Sequence, residues 1–207
     1  MSTITLYRHA LSGHSHRVEA LLSLLGLNAE IIDVDLAAGA HKQADFLKKN
    51  SFGQVPVIED GELTLSDSNA ILVYLATQYD AARTWLPEDA AVSAEVQRFL
   101  SLAAGKIAFG PAAARLVNVF GAGLDHDNAK ATSHAVLAEL DAHLAERNWL
   151  AGDAPTIADV ANYAYVAHAP EGDVSLESYA NVASWLSRIE ALEGFVSMQA
   201  TAVGLAV

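Results

Sequence analysis

The apolar periodicity of this chain changes once along its length, and that change bounds the folds open to it. Through about Tyr79 short β-type runs alternate with helical ones, whereas beyond about Val92 every periodic segment has helical spacing. Ile4 to Tyr7 reads as a strand, and Val18, Leu21, Leu22 and Leu25 mark one face of a helix that stops near Gly26. Ile31, Ile32 and Val34 suggest a second strand, and Lys42 to Lys49 a short helix. Val55 to Ile58 and Glu62 to Leu65 read as two further strands, with Asp60-Gly61 as a two-residue hairpin turn between them. Ile71, Leu72, Leu75 and Tyr79 then mark a helix, completing the order βαβαββα. Residues 81–91 contain Pro87 and no periodicity, which predicts a linker. Beyond it, Val136, Leu137, Leu140 and Leu144, then Val182, Trp185, Leu186 and Ile189, are core faces of a helical bundle. The expected layout is an α/β domain over residues 1–80, a linker over 81–91 and an all-α domain over 92–207.

Composition narrows the chemistry. With 52% hydrophobic and 18% charged residues, a chain of 207 residues can bury a substantial core. Its apolar runs fall short of the ~18 to 20 residues of a membrane span, and its first residues lack a basic start followed by an apolar stretch, so a cytosolic location is expected. The net charge of −13 argues against nucleic acid and anionic membrane, which demand basic surfaces. There is no cysteine, so any sulfur chemistry uses a thiol brought by the ligand.

Three segments of the first 80 residues carry chemistry. Val55-Pro56 opens a strand, where proline cannot donate to the ladder; a cis bond there would leave the Val55 backbone to pair with an extended peptide ligand, and the plain alternative is a trans proline at a strand start. Ser66-Asp67-Ser68 precedes a helix whose first amides suit a carboxylate while Asp67 suits an ammonium; taken alone, the segment is an N-cap. Ser12-Gly13-His14-Ser15-His16-Arg17-Val18 joins the first strand to the first helix and offers a hydroxyl, or simply a cap.

The hydroxyl loop, then His41-Lys42, Asn50-Ser51-Phe52-Gly53-Gln54-Val55-Pro56 and Asp67-Ser68-Asn69-Ala70-Ile71, together resemble the glutathione transferases, in particular the serine-type phi and theta classes. The resemblance runs over nearly the whole chain, including Gly152-Asp153-Ala154-Pro155-Thr156-Ile157-Ala158-Asp159, which looks like the family's buried helix start, with Thr156 and Asp159 at capping-box spacing. It implies a thioredoxin-like N-terminal domain, an all-α C-terminal domain, a homodimer and glutathione as co-substrate, with no metal. By position, Ser12 matches the catalytic hydroxyl and Pro56 the cis-proline, with Val55 pairing with the cysteinyl backbone. Asp67 and Ser68 match the γ-glutamyl grip, and His41, Lys42 and Gln54 the positions near the glycine carboxylate. Asp67 and Ser51 depart from the family pattern, which more often has Glu or Gln at the first and proline at the second.

A free thiol of pKa ~8.5 is only about 3% thiolate at pH 7, so the protein's task is to stabilise the anion. A hydroxyl donating to sulfur does so at the N-terminus of the first helix. The small hydrophobic electrophile would meet Arg8, His9 and Leu11 beside the loop and Phe109, Phe120 and Tyr163 on the helices; taken alone, each aromatic reads first as ordinary core. Tyr7 is a rival hydroxyl. His168 falls on an apolar face and reads as a core histidine, while His14 and His16, in a first helical turn, are expected to face solvent. The rival functions are a non-catalytic carrier of glutathione or hydrophobic ligands, and a purely structural interaction module.

Overall fold

Residues 4–206 are described by a computed structural model. The alternation of Ile4–Arg8 makes it β1, which pairs in parallel with β2 (Ala29–Asp33) and antiparallel with β3 (Val57–Asp60); β3 pairs antiparallel with β4 (Leu63–Ser66). The sheet order is β2-β1-β3-β4. Helices α1 (Gly13–Leu24), α2 (Ala44–Lys49) and α3 (Ser68–Tyr79) complete the expected βαβαββα order.

The pleat assigns side chains to faces. Tyr7 lies opposite Val57 in the β1–β3 register, and both join Phe46 of α2 and Val34 in one apolar cluster. Leu6 and its partner Ile58, both fully buried, point to the other face, where α1 and α3 pack together. Fully burying one such side chain contributes about 1.5–3 kcal/mol.

The hairpin turn sits one residue later than the sequence predicts, at Gly61-Glu62 rather than Asp60-Gly61, because Asp60 stays in the ladder opposite Leu63. Its carboxylate accepts the hydroxyls of Tyr74, at 2.8 Å, and Tyr79 on α3, while Gly61 supplies the positive φ of 58°. The third strand likewise begins at Val57 rather than Val55, and the expected Lys42–Lys49 helix is a 3₁₀ turn at Ala40–Lys42 followed by α2.

The chain divides into two compact units, one running through Arg83 and joined by Leu192–Gln199, the other spanning Thr84–Ala191 with the last residues. In the second unit α4 (Ala90–Leu102) starts inside the stretch read as linker, capped by Asp89, whose carboxylate accepts the amides of Ala91 and Val92. A ten-residue π-helix, Ala103–Ala112, connects α4 to α5 (Ala113–Phe120) without a break. By length and composition this 31-residue helical run could cross a bilayer, but half of its most apolar window is buried within the protein, as in the core helix of a bundle. Gly110 makes that packing close: a Cβ there would lie 3.1 Å from the Ser133 amide nitrogen on α6 (His126–Leu144). Helices α7 (Ile157–Ala167) and α8 (Ala180–Glu190) complete the unit.

Candidate active site

Ser12 is the N-cap of α1, in extended conformation, and its Oγ accepts the Ser15 amide at 3.2 Å. The cap uses the oxygen as acceptor and leaves the hydroxyl hydrogen to donate outward, beside a helix end that carries partial positive charge. The loop is braced from within, since Ser12 N donates to His9 O at 2.9 Å and His9 N donates to Ser15 Oγ at 3.3 Å.

Tyr7 is placed differently. Its ring faces α2, edge-on to Phe46, and its hydroxyl donates to Glu59 Oε2 at 2.7 Å. The Lys49 ammonium pairs with Glu59 and lies 4.7 Å over the Tyr7 ring. Burial, followed by the Glu59 hydrogen bond, pushes the Tyr7 hydroxyl above its ordinary pKa. The same bonds from Lys49 and Tyr7 hold Glu59 below the usual carboxylate range.

The Val55–Pro56 bond is cis, and pairing with β1 and β4 begins only at Val57, so Val55 lies before the ladder. The loop ahead of it is held by Asn50, which donates to Gln54 O at 2.9 Å and accepts from Phe52 N at 3.1 Å. Lys42 Nζ donates to the carbonyls of Phe52 and Gly53 at 3.1 and 2.9 Å, and a Cβ on Gly53 would lie 2.7 Å from His41 O. His41, Lys42 and the loop carrying Gln54 are thus brought together, with Gln54 exposed.

Asp67 caps α3, its Oδ1 accepting the Ala70 amide at 2.9 Å, and it holds φ 73° and ψ 117°, an uncommon conformation for a residue with a side chain. Such strain concentrates where ligands are gripped. Ser68, at the first helical position, is 6% exposed.

Residues 2–77 match the family model for the glutathione S-transferase N-terminal domain, and residues 122–193 match that for the C-terminal domain. Glutathione S-transferase 3 of Zea mays is 39% identical over 173 residues, covering 79% of this chain and 77% of its own length. Human glutathione S-transferase theta-2 is 30% identical over 200 residues, covering 92% of this chain and 82% of its own length. The chain belongs to the glutathione transferase family. A crystal structure of a glutathione S-transferase from Pseudomonas fluorescens superposes with a TM-score of 0.89 at 28% identity, covering 96% of this chain and all of that one. This transferase is therefore an enzyme of glutathione conjugation, with the thioredoxin-like and all-α architecture that its sequence implies.

The residues expected to meet the electrophile differ in their surroundings. Arg8 is committed to Glu19 at 2.5 Å and Asp33 at 3.1 Å, and lines a cleft of about 220 Å³ with His16, Glu19 and Met198. His9 Nδ1 accepts the Leu11 amide at 3.3 Å, which ties the two residues into the loop before Ser12. Phe109 and Phe120 are 71% and 45% exposed on the transferase's helical unit. Tyr163 is 4% exposed with its hydroxyl donating to Glu190 at 2.8 Å, which favours its reading as core.

The expectation for the histidines of α1 needs correction. His16 is 3% exposed, with Nε2 2.8 Å from Val196 O and its ring against Phe195, because the segment Leu192–Gln199 covers it. His14 is half-buried, 3.3 Å from Ser68 Oγ. His168, read as a core histidine, caps the end of α7 and bonds Glu171 at 2.8 Å. Burial pushes Glu171 up, but His168, the Thr201 amide and Arg115 outweigh it and hold the carboxyl below its ordinary pKa. Sequence reasoning passed over Arg17 as a site residue; it is 1% exposed and donates from Nη1 to Ser68 Oγ at 3.3 Å and Asn69 Oδ1 at 2.8 Å. Its signal was a basic residue in a helix whose neighbours Val18, Leu21 and Leu22 are core. Among the described residues no group of three or more His, Asp or Glu could hold a metal ion.

Proposed function

We propose that Ser12 activates the glutathione sulfur for attack on an electrophilic carbon. The observation that carries this is the Ser12 cap geometry: the oxygen accepts from Ser15 N, and the hydrogen is left to donate to a thiolate. In conjugation with a chlorinated aromatic the thiol proton leaves to solvent, the carbon–sulfur bond forms and chloride departs. One charge-assisted hydrogen bond contributes about 1.5–3 kcal/mol, enough to lower a thiol pKa by one to two units. The Tyr7 hydroxyl, donated to Glu59, supports the choice of Ser12.

Glutathione would lie with its cysteinyl backbone along Val55, ahead of Pro56, and its γ-glutamyl end at Asp67 and Ser68. Its glycine carboxylate would lie near His41, Lys42 and Gln54, where the Lys42 ammonium supplies positive charge. On the glutathione-binding domain the electrophile would meet Leu11, His9 and Arg8. A hydroperoxide would be a second substrate, the thiolate taking its outer oxygen and releasing the alcohol, after which the glutathione sulfenic acid condenses with a second glutathione to give the disulfide and water. The glutathione-binding domain would comprise residues 1–80, the helical domain would open with α4 at Ala90 and not at residue 92, and the location would be cytoplasmic. Turnover of a chlorinated aromatic with glutathione tests the reading, and retention on immobilised glutathione without turnover of any electrophile or hydroperoxide would favour a carrier instead.

Asp67→Ala is expected to raise KM for glutathione severalfold while leaving kcat nearly unchanged, because the γ-glutamyl end is bound equally in the ground and transition states. A fall in kcat at unchanged KM would contradict that placement.

A homodimer is also proposed. Phe52 is 77% exposed on the loop before Val55-Pro56, and an aromatic of this kind suits a partner's apolar pocket. Light scattering at micromolar concentration should give twice the 21.8 kDa chain mass, and a monomeric mass would overturn the proposal.

A further inference from the structure

We infer that His14 and Arg17 are positioning residues for glutathione: from one helix they fix the hydroxyl of Ser68 on another, and so hold the γ-glutamyl subsite in place relative to the sulfur activator. The inference rests on the proposed role of Ser68 and extends it. Ser12, His14 and Arg17 all belong to the first turns of α1 or its cap, whereas Ser68 and Asn69 open α3. The contacts His14 Nδ1 to Ser68 Oγ, Arg17 Nη1 to Ser68 Oγ and Arg17 Nη1 to Asn69 Oδ1 measure 3.3, 3.3 and 2.8 Å. Together they tie the N-terminus that faces the sulfur to the N-terminus that faces the amino-acid head.

The directions of these bonds follow from the inventory of donors. A guanidinium only donates, so Ser68 Oγ accepts from Arg17 and has its own hydrogen to place. Burial and the Arg17 charge lower the His14 pKa to about 3, so the imidazole is neutral and Nδ1 can accept that hydrogen. The arrangement therefore requires the tautomer with hydrogen on Nε2. One lone pair of Ser68 Oγ remains for the ligand, and the buried Arg17 guanidinium adds its charge to the partial positive charge of that helix end.

The test is a mutant cycle in the full-length enzyme. His14→Leu removes the acceptor and should raise KM for glutathione roughly two- to tenfold, the span of one neutral hydrogen bond, with a smaller change in kcat. His14→Asn returns an acceptor near the position of Nδ1 and should restore most of the affinity. In a Ser68→Ala background His14→Leu should have little further effect, because its partner is gone. If Ser68→Ala leaves KM unchanged, the γ-glutamyl placement itself is wrong and the inference falls with it. If Ser68→Ala raises KM but His14→Leu raises it by the same factor in both backgrounds, the placement stands and the positioning role is overturned. Nitrogen-labelled histidine NMR of the unaltered protein is independent of any variant's folding: His14 should show hydrogen on Nε2 alone at neutral pH, and hydrogen on Nδ1 would overturn the inference.

Discussion

Asp159→Ala is expected to cost about 3–6 kcal/mol of folding free energy, a loss comparable with the whole stability of a marginal domain. The carboxylate is fully buried and its four bonds come from three places in the helical unit. Oδ1 accepts the Leu150 amide and the Trp185 indole, each at 2.9 Å, while Oδ2 accepts the Thr156 amide at 2.9 Å and its hydroxyl at 3.3 Å. Truncation leaves three N–H donors buried without an acceptor, at about 1–3 kcal/mol each. Thr156, which also caps α7 by accepting the Ala158 amide at 3.2 Å, loses its orientation. Denaturant unfolding should show the loss directly, with activity per folded molecule little changed. A cost below about 1 kcal/mol would mean that water or repacking satisfies these donors.

The second large effect is on chemistry. Ser12→Ala should lower conjugation at pH 7 roughly tenfold or more, since raising the bound thiol's pKa by one to two units withdraws about 1.4–2.7 kcal/mol from the thiolate. The defect should shrink as pH rises and solvent ionises the sulfur unaided. Glutathione affinity should change little. The cap geometry adds a stability component: losing the Ser15 amide's acceptor should cost about 0.5–2 kcal/mol, visible as a lower Tm. Activity therefore has to be compared at a temperature where both proteins are folded. Tyr7→Phe, which removes a hydroxyl directed at Glu59, should retain most of the activity.

Much of this architecture was legible in the sequence because hydrophobic period separates strands from helices. The alternation in Ile4–Arg8 and the helical faces of α1 and α3 survive as buried core, and the Thr156–Asp159 spacing became a capping box. Local chemistry misled where tertiary partners decided the outcome. Asp60 has the propensity of a turn residue, yet two tyrosine hydroxyls from α3 keep it in the ladder and move the turn on by one residue. The π-helix escaped notice because a wider turn keeps the composition of an α-helix and only rotates its faces.

The site was legible as a set of positions but not as a set of bonds. Ser12, Asp67 and Ser68 lie at the helix starts where the sequence put them, whereas Val55 and Pro56 precede the strand they were expected to open. The histidines of α1 did not follow pattern, since polar residues in a first helical turn usually face water. His16 is covered by a segment 180 residues away, which also accepts a hydrogen bond from Ser23 Oγ at Gly194 O, 2.6 Å. Nothing periodic in residues 192–199 marks that return to the first unit.

The central claim is that Ser12, and not Tyr7, stabilises the glutathione thiolate. Its most direct test is the thiolate absorbance of bound glutathione followed against pH in the parent enzyme, Ser12→Ala and Tyr7→Phe. The parent should titrate well below the ~8.5 of a free thiol, Tyr7→Phe should follow it, and Ser12→Ala should shift upward by about one to two pH units. A Ser12→Ala curve that overlays the parent, with Tyr7→Phe displaced instead, would contradict the account and assign the activation to the tyrosine.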